Sequence, residues 1–132
     1  MKKKLLLMIL ALFIVACTSG KTEFFPSRGY SADMAEVTII REKRIFGFGF
    51  SMEVLLDGEV IARLKAGQYV TFFVGPGVHN IGIPNESIAA ALARGRKHYF
   101  MIKTESSQFG FEIEQISENK ATSRMAQSHS IN

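Results

Sequence analysis

From Glu36 onward the chain repeatedly alternates apolar and polar residues with a period of two, the mark of strands with one buried face. Glu36 to Arg41 sets Val37 and Ile39 on one side and Glu36 and Thr38 on the other. Ser51 to Leu56 collects Met52, Val54 and Leu56 on one face. Asp57-Gly58 then supplies two residues that tolerate the positive φ of a tight hairpin. In Glu59 to Leu64, Val60, Ala62 and Leu64 point inward, with Glu59 and Arg63 outward. Ala66-Gly67 turns into Gln68 to Val74, and Gly75-Pro76-Gly77 leads into Val78 to Ile83. Ser87 to Ala93 favours helix by propensity, but it is short and lies between strands, so it is read as a strand. After the Arg94-Gly95-Arg96 turn, His98, Phe100 and Ile102 alternate with Tyr99 and Met101. Phe109, Phe111 and Ile113 alternate with Gly110, Glu112 and Glu114 and end the pattern.

About eight short strands at this spacing predict an all-β fold, a small antiparallel β-sandwich over residues 35–117. Ile40, Leu55 and Ile61 fall on nominally outward faces, where a contiguous patch would mark an interface. Residues 118–132 are polar; Ala121, Met125 and Ala126 hint at one weak amphipathic helix, with the last residues expected to fray.

Ahead of the strands the pattern changes twice. Residues 18–34 are small and polar, broken by Pro26 and Gly29, and read as a tether whose Phe24-Phe25 either docks on the domain or stays in the linker. Met1 to Lys4 is a short basic start, and Leu5 to Ala16 is an unbroken apolar run. Twelve helical residues span about 18 Å, short of the ~30 Å hydrocarbon core, so residues 1–16 fit an export signal better than a membrane span.

The run closes on Ile14-Val15-Ala16-Cys17, which resembles the lipobox of bacterial lipoproteins. The resemblance implies that Ile14, Val15 and Ala16 are read by the signal peptidase. It also implies a diacylglyceryl group on the Cys17 thiol and cleavage that makes Cys17 the acylated N-terminus. Each buried CH₂ contributes about 0.8 kcal/mol, so two or more acyl chains anchor stably where one is marginal. An ordinary secretory signal with a chance cysteine, or a buried apolar helix, are the plainer alternatives. Thr18, rather than Asp, follows the cysteine. By the same resemblance this implies the outer membrane; the domain is expected to face the periplasm rather than the cell surface.

Composition narrows the partners. Taking Lys2, Lys3 and Lys4 from the 16 basic residues leaves 13 against 12 acidic ones. The mature chain is therefore near neutral, which argues against nucleic acid as a partner. With Cys17 the only cysteine, the domain closes no internal disulfide and folds on its apolar core alone.

The order of several segments resembles a family of small bacterial lipoproteins with a domain of unknown function, similar to PEGA-type sandwiches. The segments are Glu36-Val37-Thr38-Ile39-Ile40-Arg41, Val54 to Leu64 around Asp57-Gly58, Gly67-Gln68-Tyr69, Pro76-Gly77-Val78-His79, and Gly95 to Phe100. Where that family tends to show Arg-Pro, this chain has Arg41-Glu42-Lys43-Arg44. The resemblance implies a fold and an envelope address, and brings no established activity.

Candidate chemistry is sparse. His79, His98 and His129 lack cysteine partners or a His-x-x-x-His spacing and read as structural, so no metal or cofactor is expected. Glu112 and Glu114 share a strand face opposite Phe111 and Ile113, as solvated residues do, and the role of Asp57 is explained by its turn. No catalytic constellation emerges, so an enzyme is not expected. In Gly47-Phe48-Gly49-Phe50, Phe48 and Phe50 either cap the open end of the core or form a contact surface. The clusters Arg41/Lys43/Arg44 and Arg94/Arg96/Lys97 read as solvated turns; gathered at one end, they would suit anionic headgroups. The expectation is a non-catalytic, membrane-tethered module that binds another envelope component, a protein first, with a glycan or small ligand as the alternative.

Overall fold

A computed structural model describes residues 32–43, 49–104 and 110–132 of the chain. Among the described residues nine strands form two sheets: β1 (Ala35–Arg41), β2 (Met52–Leu56), β3 (Glu59–Leu64), β4 (Gln68–Val74), β5 (Gly77–Ile83), β6 (Glu86–Leu92), β7 (Lys97–Thr104), β8 (Phe111–Ile116) and β9 (His129–Ser130). One helix, α1 (Glu118–Met125), lies between β8 and β9. The five-stranded sheet runs β8-β7-β1-β4-β9 and the four-stranded sheet β3-β2-β5-β6. The fold is an all-β sandwich, as the alternation predicts.

The core lies between the sheets. Val37, Ile39, Val70, Phe72, Phe100 and Ile102 from one side meet Val54, Leu64, Ile81, Ala90 and Leu92 from the other. Within β6, Ala90 and Leu92 are buried while Ser87, Ala89 and Ala91 are exposed. The strand reading of this alanine-rich stretch therefore holds against its helical propensity, because burial of alternate residues overrides a weak local preference.

The predicted hairpin at Asp57-Gly58 is present, with Asp57 at φ 50° and Gly58 at φ 84° and Leu56 paired with Glu59. Strict alternation misplaces Ile61, read as outward, and Val60, read as inward but set opposite Leu55 on the outer face. The register shifts between Val54 and Leu55, so Ile61 is an extra residue on β3, and it lies in the core beside Ala62. A bulge of this kind re-aims side chains that alternation would send outward.

Two pairings are parallel, β1 with β7 and β4 with β9, and the rest are antiparallel. The helix hinted at after Ser117 forms, while the last residues, expected to fray, join the sandwich instead. Ser117 caps α1, its Oγ accepting from Lys120 N at 3.4 Å. The chain then returns along the edge of β4, with His129 N donating to Gly67 O at 2.8 Å and Ile131 N to Tyr69 O at 3.0 Å.

Candidate functional site

The two sheets differ in what covers their outer faces. On the five-stranded sheet, Ile40 is fully buried together with Tyr99 and Ala121, ringed by Tyr69, Ile116 and Met125. Ile40, nominally outward in sequence, is thus a second core residue beneath α1.

The outer face of the four-stranded sheet has no such cover among the described residues. Alternation turns Val78, Asn80 and Gly82 of β5 and Ser87, Ala89 and Ala91 of β6 outward; Val78 is 72% exposed. Leu55 and Val60 stand opposite each other and are half-buried. Of the three nominally outward residues, Leu55 alone remains on an open face.

An open depression of about 430 Å³ lies on this face, lined by Leu55, Asp57, Asn80, Gly82, Asn85, Glu86 and Ser87 among others. Gly82 makes its floor. A Cβ there would sit 2.7 Å from Glu86 O and 2.8 Å from the Ser87 Cβ, so the hairpin can cross only over a glycine. Pro84 and Asn85 close that hairpin, Asn85 taking φ 70°, which asparagine tolerates better than most residues. The rim offers carboxylate, amide and hydroxyl groups and no aromatic ring, chemistry suited to hydrogen-bonding a hydroxylated ligand.

Beside the depression, Asp57 and His79 form a contact that neither residue announces alone. His79 Nδ1 donates to Asp57 Oδ2 at 2.7 Å and Nε2 donates to Gly75 O at 2.8 Å. Asp57 Oδ1 accepts from Asn80 N at 2.8 Å. Both ring nitrogens thus face acceptors, which favours the imidazolium. The Asp57 hydrogen bond raises the His79 pKa above the ordinary histidine value, and the His79 bond lowers that of Asp57. The contact ties the β2–β3 turn to the β4–β5 turn. The signal was available in Asp57-Gly58 and Gly75-Pro76-Gly77-Val78-His79, but the register that joins them is set by β2 pairing with β5, which no local pattern encodes.

Other candidates resolve differently from their reading in sequence. Arg41 is buried, and its Nη1 donates to Phe50 O and Leu64 O at 2.7 Å each. Its guanidinium carbon lies 4.5 Å from the Phe50 ring centroid and 5.3 Å from that of Phe111. Arg41 is therefore not part of a solvated basic turn; burial lowers its pKa from the usual arginine value. Phe50 packs edge-on against Phe111 and remains 45% exposed, while Phe48, its partner in the predicted contact surface, lies outside the described residues. Arg44 lies outside the described residues, and the described members of the two basic clusters do not gather at one end. Parallel pairing of β1 and β7 sets Lys97 beside Glu36 at the start of β1, whereas Arg41 closes that strand.

Glu112 and Glu114 are ion-paired rather than only solvated: Lys103 Nζ lies 3.0 Å and 2.9 Å from them, and Lys120 Nζ lies 2.9 Å from Glu114. His98 Nε2 accepts from Ala93 N at 3.0 Å and closes the β6–β7 turn. Among the described residues no group of three or more His, Cys, Asp or Glu converges as a metal site would require, and no helix is long and apolar enough to cross a membrane. Cys17, the signal residues Ile14, Val15 and Ala16, and Phe24-Phe25 lie outside the described residues. Compared with family models, curated proteins and solved structures, the chain matches none.

Proposed function

We propose that this chain is a non-catalytic lipoprotein of the cell envelope, anchored through lipid on Cys17, whose sandwich presents its four-stranded sheet to another envelope component, a protein. The observation that carries the reading is the contrast between faces: one outer sheet surface is covered by its own helix, and the other has no cover among the described residues and exposes Val78, Ala89 and Ala91. Exposed apolar residues grouped on one sheet face are what partners use. The Ile14-Val15-Ala16-Cys17 box supports the anchor, and Thr18 supports the outer membrane; we place the domain on its periplasmic side.

Two measurements test this. An alkyne fatty acid fed to cells labels the wild type and leaves Cys17→Ala unlabelled; equal labelling removes the anchor. A photo-crosslinking residue at Val78 traps one dominant envelope protein, while the same residue at Lys120, on the helix side, does not. Equal trapping from both positions removes the face assignment. The depression beside Asp57 and Glu86 favours a second reading, a module for a glycan or other hydroxylated ligand. Retention on an immobilised glycan, lost in Asn85→Ala, would bring that reading forward.

A further inference from the structure

The sandwich has four lateral edges, and three of them are guarded. The β4 edge is covered by β9. On β8, Glu112 and Glu114 carry charge along the strand. On β3, the Ile61 bulge interrupts the ladder, and Glu59 and Arg63 flank it. Natural sheets blunt their edges with such charges, bulges and covers, because an open ladder pairs with any extended chain. β6 has none of these. It is seven residues long, without Pro or Lys; its only charge, Glu86, is at its start, and no described strand pairs with its outer side.

The two-residue turn Pro84-Asn85 makes Ile83 and Glu86 the closing hydrogen-bonded pair, so Glu86, Ile88, Ala90 and Leu92 bond to β5. By alternation, Ser87, Ala89 and Ala91 aim their N–H and C=O groups away from the sheet. Ala93, next in that series, turns its N–H to His98 Nε2.

We propose that β6 pairs antiparallel with β6 of a second copy of this chain, centred on Ala89, joining two four-stranded sheets into one. The strand is complementary to itself in that direction. Ala89 meets Ala89 and Ser87 meets Ala91, so no bulky side chains collide on the outer face. Charge agrees: Glu86 begins the strand and Arg94, exposed and 3.3 Å from Asp33, follows its end, so the antiparallel arrangement brings the Glu86 end of one copy toward the Arg94 end of the other. A parallel pair would align like charges. The inference does not depend on the lipid anchor, and a failed anchor leaves its test readable.

The test is oxidative cross-linking of the full chain in intact cells. Directly opposed hydrogen-bonded residues have Cα atoms about 5.5 Å apart, within disulfide reach. Ala89→Cys therefore gives a disulfide-linked dimer, and the wild type, carrying only Cys17, does not. Ser87→Cys and Ala91→Cys each stay monomeric alone, since each lies about 14 Å from its own copy, but link to each other when produced together. The exposed Arg63→Cys on the opposite edge stays monomeric. The proposal is overturned if Ala89→Cys dimerises no more than Arg63→Cys, or if Ser87→Cys links to itself as efficiently as Ala89→Cys does.

Discussion

The outer faces of the two sheets start from the same alternating pattern and end in opposite states. On the five-stranded sheet the face closes into a second small core, with Ile40 and Ala121 both at 0% exposure. The cover is held by the Ser117 cap, by Lys120 on Glu114, and by Arg124 Nη1 at 3.7 Å from Glu42. On the four-stranded sheet the equivalent face stays open among the described residues, with Val78 the most exposed large apolar residue there. An outward apolar residue is thus a packing position when later chain returns over it and a surface position when none does. Strand patterning alone cannot tell the two apart.

A matched pair of truncations breaks or supports this contrast most directly. Ile40→Ala removes a buried side chain under α1 and costs about 2–5 kcal/mol. Val78→Ala, on the open face, changes stability by no more than about 0.5 kcal/mol. Urea unfolding of both variants measures the difference. Comparable losses would mean that the four-stranded face is covered after all, and comparable neutrality that α1 contributes little.

Gly82 sharpens the comparison, being a tight point on the open face. Gly82→Ala forces a Cβ against the Glu86 carbonyl, and the β5–β6 hairpin shifts at a cost of about 1–3 kcal/mol. Ala89→Ser, two residues beyond Ser87 on the same face, stays within about 0.5 kcal/mol. Wild-type stability in Gly82→Ala would show that the hairpin crosses more loosely than the glycine floor requires.

Legibility in the sequence follows the range of the interaction that decides each feature. The Asp57-Gly58 hairpin, the Pro-Gly turn and the inward sets of β1 and β7 are local, and the alternation states them. The parallel neighbour of β1, the bulge at Ile61 and the return of residues 129–132 along β4 are decided by partners far along the chain. Arg41 shows the limit most sharply. Within Arg41-Glu42-Lys43-Arg44 it reads as one charge in a solvated run, yet it occupies an inward position of β1. Its guanidinium there satisfies two backbone carbonyls between aromatic rings. The Asp57–His79 contact was out of reach for the same reason: each residue had an adequate local explanation.

The smallest effect concerns that contact, which braces the rim of the open face as the Lys103–Glu112–Glu114 ladder braces the covered one. His79 has a folded-state pKa above its ordinary value of 6.5, so its contribution is complete below that value and is lost as pH rises through the raised one. Asp57 is shifted down from 3.8, so its contribution is present above that value and is lost as pH falls through the lowered one. The contact therefore stabilises most between roughly pH 4 and pH 6.5. Asp57 is half-exposed, with a side-chain exposure of 49%, so solvent screening limits the gain to a few degrees in Tm. Melting curves at pH 5.5 and pH 8.5 give the higher Tm at pH 5.5 in the wild type. In His79→Gln the part of that difference due to the imidazolium disappears, while the amide keeps a neutral hydrogen bond within reach of Asp57. An unchanged pH dependence in His79→Gln would mean that the two turns hold their positions without the charge between them. The rim of the open face would then owe its shape to the β2–β5 pairing alone.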